Sequence, residues 1–300
     1  MRDVPLAIAL KLAQTLFFAL MYASIKLAGD VPIGEVVFFR GFFALVPLFV
    51  WTFFTVGPIE AIKTQRPAYH VVRGVVGVAA MFTNFTALSL LPLATVTAFG
   101  FIQPIFAVML AALFLREHVG PYRWAAVLAG FAGVMMMIVP HGGLASLLSL
   151  NLPKGVGYAL TFSFLSAVVV VWIRQMSTTE RCEAIVFYFM SACAVAGAII
   201  MIWDHTPLTL SAGFWLVMCG LFGGTGQLLM TYSYRFGEPS LLAPFDYASM
   251  IWAMILGWFV FAEMPAPMVL AGAGVVIAAG MLIAWREHRL RVEIPLEPLT

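Results

Sequence analysis

The chain is 300 residues long, 63% of them hydrophobic and only 10% charged, with a mean hydropathy of +1.01. A soluble domain carries roughly 25% charged residues, so this much apolar surface cannot be covered in water and the solvent for most of the chain is lipid. A net charge of +2 without any basic block argues against a nucleic-acid partner and against an acidic one.

A membrane span needs about 20 mostly apolar residues. Runs of that kind lie at 6–28, 33–54, 68–90, 93–115 and 122–140, then at 155–176, 183–203, 213–234, 240–261 and 267–285. The first follows Arg2 and imitates a signal peptide, but no small-x-small cleavage site comes after it, so it reads as the first span. It carries Lys11, Phe18 and Tyr22, while the second carries Arg40 and the third Arg73, Phe82 and Asn84. The fourth holds Phe99 and, at its centre, Gln103-Pro104. Pro104 has no N–H, so the carbonyl of Gly100 loses its helical donor. The eighth centres on Gly223-Gly224-Thr225-Gly226-Gln227, and Gly220 to Gly224 spells the GxxxG of close helix packing. The ninth opens with Pro244, Asp246, Tyr247 and Ser249. The stretch 286–300 is polar and is expected to be a loose tail.

Ionisable residues inside spans are functional candidates by default. Lys11, Arg40, Arg73 and Asp246 each lie about five to eight residues from a span end, roughly 8–12 Å at 1.5 Å per residue. Lys11 and Arg73 therefore read first as snorkelling cations. Arg40 is a candidate gate residue, paired with a carboxylate such as Glu35 or Asp30. Asp246 cannot snorkel far, and two readings stand open for it: a coupling or substrate-contact site, or an acid that neutralises a helix start. With Arg40 and Lys11 it forms the candidate set for coupling or gating.

Amides facing lipid are costly, so Gln103, Gln227 and Asn84 are expected to line a substrate cavity, with Ser249 opposite Gln103. Phe82, Phe99, Tyr22 and Tyr247 are the rings near that depth, each either stacking on a planar ligand or simply packing. Read this way, the midplane holds amides and no full charge, which suits a neutral ring system.

The three cysteines, Cys182, Cys193 and Cys219, form no CxxC pair and read as packing residues. There is no GxxxxGK, no HExxH and no cluster of the five histidines at one depth. No catalytic residue, metal or cofactor is expected, and the chain does not read as an enzyme.

With a cytoplasmic N-terminus, eleven of the 16 Lys and Arg fall in inside segments, and only Lys26 and Lys154 fall outside. This bias puts both termini in the cytoplasm of a multi-pass inner-membrane protein. The chain also repeats itself. Lys26 and Glu35 recur as Arg174 and Glu183, and Gly74, Gly77, Glu117 and Pro121 recur as Gly220, Gly223, Glu263 and Pro267. Two five-span halves, 1–140 and 155–285, must then cross the membrane in opposite senses, the inverted repeat of secondary transporters. The expected fold is all-α, a bundle of ten transmembrane helices.

The segments Val37-Phe38-Phe39-Arg40, Met81-Phe82-Thr83-Asn84-Phe85-Thr86-Ala87-Leu88 and Leu91-Pro92-Leu93 give the chain a family likeness. So do Pro104 with Glu117, Arg123-Trp124, Ala243-Pro244-Phe245-Asp246-Tyr247 and Phe261-Ala262-Glu263. Here the sequence resembles the drug/metabolite transporter superfamily, of the EamA type with ten spans. Within it the chain is most similar to a bacterial branch of riboflavin and S-adenosylmethionine uptake proteins. The resemblance implies an alternating-access carrier for a small organic molecule, riboflavin first, with no ATP-hydrolysing subunit. Export of amino acids or related metabolites, S-adenosylmethionine uptake, and a non-transporting membrane scaffold or sensor are the alternatives. Oligomeric state is open.

Overall fold

The computed structural model describes residues 4–103, 105–106, 109–110, 121–141, 153–176, 179–236, 242 and 245–292. Every regular element among them is helical. The long helices are α1 (Val4–Ala28), α2 (Ile33–Phe54), α3 (Pro67–Leu90), α4 (Leu93–Gly100) and α5 (Pro121–Ile138), then α6 (Lys154–Met176), α7 (Cys182–Met201), α8 (Leu210–Phe236), α9 (Ala248–Phe261) and α10 (Pro267–Val292). A single helical turn, Pro58–Ala61, sits between α2 and α3. Among the described residues five stretches are long and apolar enough to cross a membrane: Pro5–Ala28, Ile33–Phe54, Pro67–Leu90, Cys182–Met201 and Leu210–Ser233. Shorter apolar helices cover Leu128–Met137, Lys154–Val169, Ala248–Phe261 and Pro267–Ala279.

Local chemistry sets the ends. Pro67, Pro121 and Pro267 open α3, α5 and α10, at the position where a missing N–H costs nothing. Gly29, with φ +82°, closes α1, its N–H donating to the Lys26 carbonyl at 3.2 Å. α4 stops at Gly100, where the amides of Phe101 and Ile102 fold back onto the carbonyls of Ala98 and Phe99. Helical bonding resumes at Ile105 and Phe106, both onto Ile102. The expected span 93–115 is thus broken one turn ahead of Pro104, as its missing donor requires; residues 111–120 lie outside the described residues.

The expected span 240–261 is helical at Leu242, Phe245 and Asp246, turns at Tyr247 and continues as α9 from Ala248. One expected boundary moves. α10 runs on to Val292, so the expected loose tail from Arg286 starts as helix. Arg286–Val292 contains no Gly or Pro and several good helix formers, which lets the last span continue.

α1 packs on α8 and α9, α3 on α6 and α7, α2 on α7 and α8, α4 on α6 and α9, and α5 on α10. The pattern is two-fold. Exchanging α1–α5 for α6–α10 turns α1·α8 into α3·α6, α2·α8 into α3·α7 and α1·α9 into α4·α6, and leaves α2·α7, α4·α9 and α5·α10 unchanged. α2 and α7 touch backbone to backbone, for a Cβ on Gly41 would lie 2.5 Å from the Ala194 nitrogen. In lipid, small residues permit the close van der Waals packing that drives helix association. Phe53, Phe54, Val75 and Phe259 remain widely exposed on the outside of the bundle. Apolar exposure on that scale marks a membrane-facing surface.

Candidate functional site

Polar side chains converge inside the bundle at three levels. At the middle, Arg40 of α2 is buried, with Nε donating to the Met21 sulfur at 2.9 Å, Nη1 to the Met190 sulfur at 3.0 Å and Nη2 to the Gly223 carbonyl at 3.1 Å. Gly223 is the central residue of α8. Arg73 of α3 is also buried, its guanidinium 4.0 Å from the centre of the Phe189 ring. Among the described residues its Nε and Nη1 have no hydrogen-bond partner. Side chains on Gly77 and Gly223 would collide with the guanidinium groups of Arg73 and Arg40, respectively. The repeat read in the sequence pairs these two glycines. Beside Arg40, the Asn84 amide donates to the Tyr22 hydroxyl at 2.7 Å, and Tyr22 meets Phe85 edge-on at 6.5 Å. The Asn84 carbonyl oxygen is buried without a partner among the described residues.

Nearer one end, Lys11 of α1 pairs with Asp246 at 2.7 Å. Lys11 is 1% exposed and Asp246 40% exposed, so the carboxylate is the member of the pair that solvent or a ligand reaches. One turn along, the Trp252 indole donates to Thr15 at 3.2 Å, tying α9 to α1 again.

Carboxylates fasten both ends of the bundle. At one end Glu35 accepts the Thr206 amide at 2.7 Å, joining α2 to the α7–α8 connection. At the same end Lys26 of α1 pairs with Glu263 at 2.5 Å, and Glu263 also accepts the Leu93 amide at the start of α4. Ala262 adopts φ 51° at the end of α9, a conformation costly for a non-glycine residue, and turns Glu263 toward both partners. At the opposite end Glu180 accepts the amides of Gln65 and Arg66 at 3.0 Å each and meets His70 Nε2 at 3.2 Å. Burial by itself raises the Glu180 carboxyl, but hydrogen bonds from His70, Thr64 and the Gln65 amide outweigh it and hold the group below the usual carboxylate range.

Of the residues expected to line a cavity, Asn84 and Tyr22 are brought together, and Tyr247 stacks edge-on with Phe101 at 5.1 Å. Gln227 is buried on α8 and Gln103 is half-buried past the break in α4. Phe82 is half-buried against the core. Ser249 spends its hydroxyl on the Asp246 carbonyl at 2.6 Å, and Phe99 is fully buried with its carbonyl accepting from Ser163.

Three expectations are corrected. Lys11 and Arg73 do not snorkel; their helix faces turn inward, to a carboxylate and to an aromatic ring. Arg40 pairs with neither Glu35 nor Asp30 but with two sulfurs and a carbonyl, because its side chain points across to α7 and α8. The midplane is not free of charge. An arginine side chain is long enough to carry its guanidinium away from the depth of its own Cα, which span position alone does not reveal. The clamps by Glu35, Glu180 and Glu263 were also not foreseen; an acid near a span end was the available signal, and its partners lie far away in sequence.

A model of the EamA-like transporter family matches residues 5–139 and again 153–285. The chain belongs to the EamA-like transporter family. An S-adenosylmethionine uptake transporter of Rickettsia felis is 26% identical over 85% of this chain and 84% of its own. A pseudopaline exporter of Pseudomonas aeruginosa is 28% identical, over 87% and 90%. A riboflavin transporter of Rhizobium johnstonii is 26% identical, over 77% and 74%. A solved structure at 18% identity shares the fold, with a TM-score of 0.67 over 95% of this chain and 98% of that one. With its apolar spans, this family member is a multi-pass membrane protein of the transporter class, of bacterial kind by its relatives.

Proposed function

We propose that the chain is a secondary carrier that moves a small organic metabolite across the bacterial inner membrane by alternating access. Ten spans in two inverted halves, 1–140 and 155–285, would hold the substrate between them, with both termini cytoplasmic. The observation that carries this reading is the paired matching of one family model to both halves, together with helix contacts that map onto themselves when the halves are exchanged. Carriers of inverted-repeat design bind near the midplane where the repeats meet, and the buried Arg40, Asn84, Arg73 and Gln227 with the half-buried Tyr22 support a polar site there. Gln103, Phe82 and Tyr247 are the further lining candidates, and Asp246 with Lys11 is the candidate coupling pair. The carboxylate clamps at the two ends are suited to act as gates, one to be released while the other holds.

Uptake is favoured by the relatives named for S-adenosylmethionine and riboflavin, and export by the one named for pseudopaline. Riboflavin uptake is tested by expressing the chain in a riboflavin-requiring bacterium on limiting vitamin, with labelled S-adenosylmethionine uptake measured in the same cells. Restored growth supports riboflavin as cargo, and label accumulation without restored growth moves the substrate to S-adenosylmethionine. Neither response, from protein present in the membrane, counts against uptake of both and leaves export.

A further inference from the structure

This inference deepens the carrier reading and rests on it. Two guanidinium groups reach the middle depth of the bundle, Arg40 at the central residue of α8 and Arg73 against Phe189 of α7. Among the described residues no carboxylate stands within ion-pair distance of either, whereas Lys11, Lys26 and Lys63 each have one. A charge at membrane depth is costly and is ordinarily paired or functional. Arg40 has settled for two thioether sulfurs and one carbonyl. Arg73 is barer: it is 4% exposed, two of its three nitrogens donate to nothing among the described residues, and an aromatic face is its main electrostatic contact there. It borders a recess of about 20 Å³, room for roughly one water molecule. Val72, Val76, Val168, Val169 and Trp172 are the other described residues of that wall, and none of their side chains offers the cation an acceptor.

We propose that the cargo carries an organic carboxylate, received by Arg73. A guanidinium meets a carboxylate through two parallel, charge-assisted hydrogen bonds, a geometry a neutral amide cannot reproduce. Gly77, on Arg73's own helix, and Gly223, on the helix facing Arg40, leave the room that each guanidinium occupies. A neutral ring system such as riboflavin then ranks behind substrates that carry an acid group.

The test is ligand-dependent thermal stabilisation of the purified full chain in detergent, with benzoate and its neutral isostere benzamide as probes at matched ionic strength. Matching removes simple screening as a cause. Benzoate is expected to stabilise the wild type at concentrations about tenfold lower than benzamide, the preference a charged hydrogen-bond partner gives. Arg73→Gln is expected to abolish that preference. Should Arg73→Gln fail to fold, Arg73→Lys is read in its place and is expected to keep the preference at reduced strength. Equal responses of the wild type to the two probes, or a preference undiminished in the variant that folds, overturns the proposal. No transport step enters this measurement, so its failure removes the carboxylate site and leaves the carrier reading to the growth and uptake experiment above.

Discussion

Asp246 shows what a single residue contributes. Its carboxylate is the accessible half of an ion pair whose other half, Lys11, is wholly enclosed. Removing the charge from Asp246 therefore takes a carboxylate away from a buried ammonium, and breaking such a pair on one side costs about 3–5 kcal/mol when both members are buried and less when one is wet. If the pair couples a proton or contacts cargo, Asp246→Asn lowers transport at least about tenfold while the protein still reaches the membrane. Membrane level by immunoblot and uptake by labelled substrate separate the two effects. Normal uptake with unchanged pH dependence in that variant assigns Asp246 to the start of α9 alone. At this scale the sequence was legible in kind and not in partnership. A carboxylate or cation inside an apolar run is visible at once, but the lysine that answers Asp246 is most of the chain away. The guanidinium of Arg73 reads as a snorkelling cation until the helix face it occupies is known.

Among elements, the clamp at Glu180 joins the α2–α3 connection to the α6–α7 connection and carries a pH signature. The Glu180 carboxyl titrates lower in the folded protein than in the unfolded chain, because hydrogen bonds to its charged form outweigh burial. A depressed carboxylate contributes stability that is present above its unfolded value, about 4.3, and is lost as pH falls through the folded value. Glu180→Gln is thus expected to cost about 1–3 kcal/mol at neutral pH. The gap between wild type and variant should narrow as the wild type is acidified below that window. Thermal unfolding followed from neutral to acid pH measures it, and a gap that stays constant or widens with acid contradicts the clamp. Helix limits were mostly readable here, since Pro67, Pro121 and Pro267 open α3, α5 and α10 and Gly29 closes α1. The break in α4 follows from Pro104. The turn at Tyr247 falls beside Pro244, a residue that interrupts helices; the extension of α10 was not readable, because a helical polar tail leaves no mark in hydropathy.

For the whole molecule, the exchange pattern of helix contacts and the pairing of Gly77 with Gly223 belong together. Each half supplies a glycine against which one buried arginine is seated. The repeat was legible because equivalent residues recur at nearly constant spacing, and the membrane setting because composition leaves no other solvent. The interior charge was not legible, since depth depends on side-chain length and direction. The central claim is that two five-span halves enter the membrane in opposite senses, which an odd number of spans per half demands. Topology reporters test it most directly, with fusions placed within Lys63–Pro67, within Gly142–Asn151 and after Val292. The account predicts cytoplasm, periplasm and cytoplasm in that order, as the distribution of Lys and Arg requires; a periplasmic signal after Val292 would contradict both the ten spans and the inverted repeat.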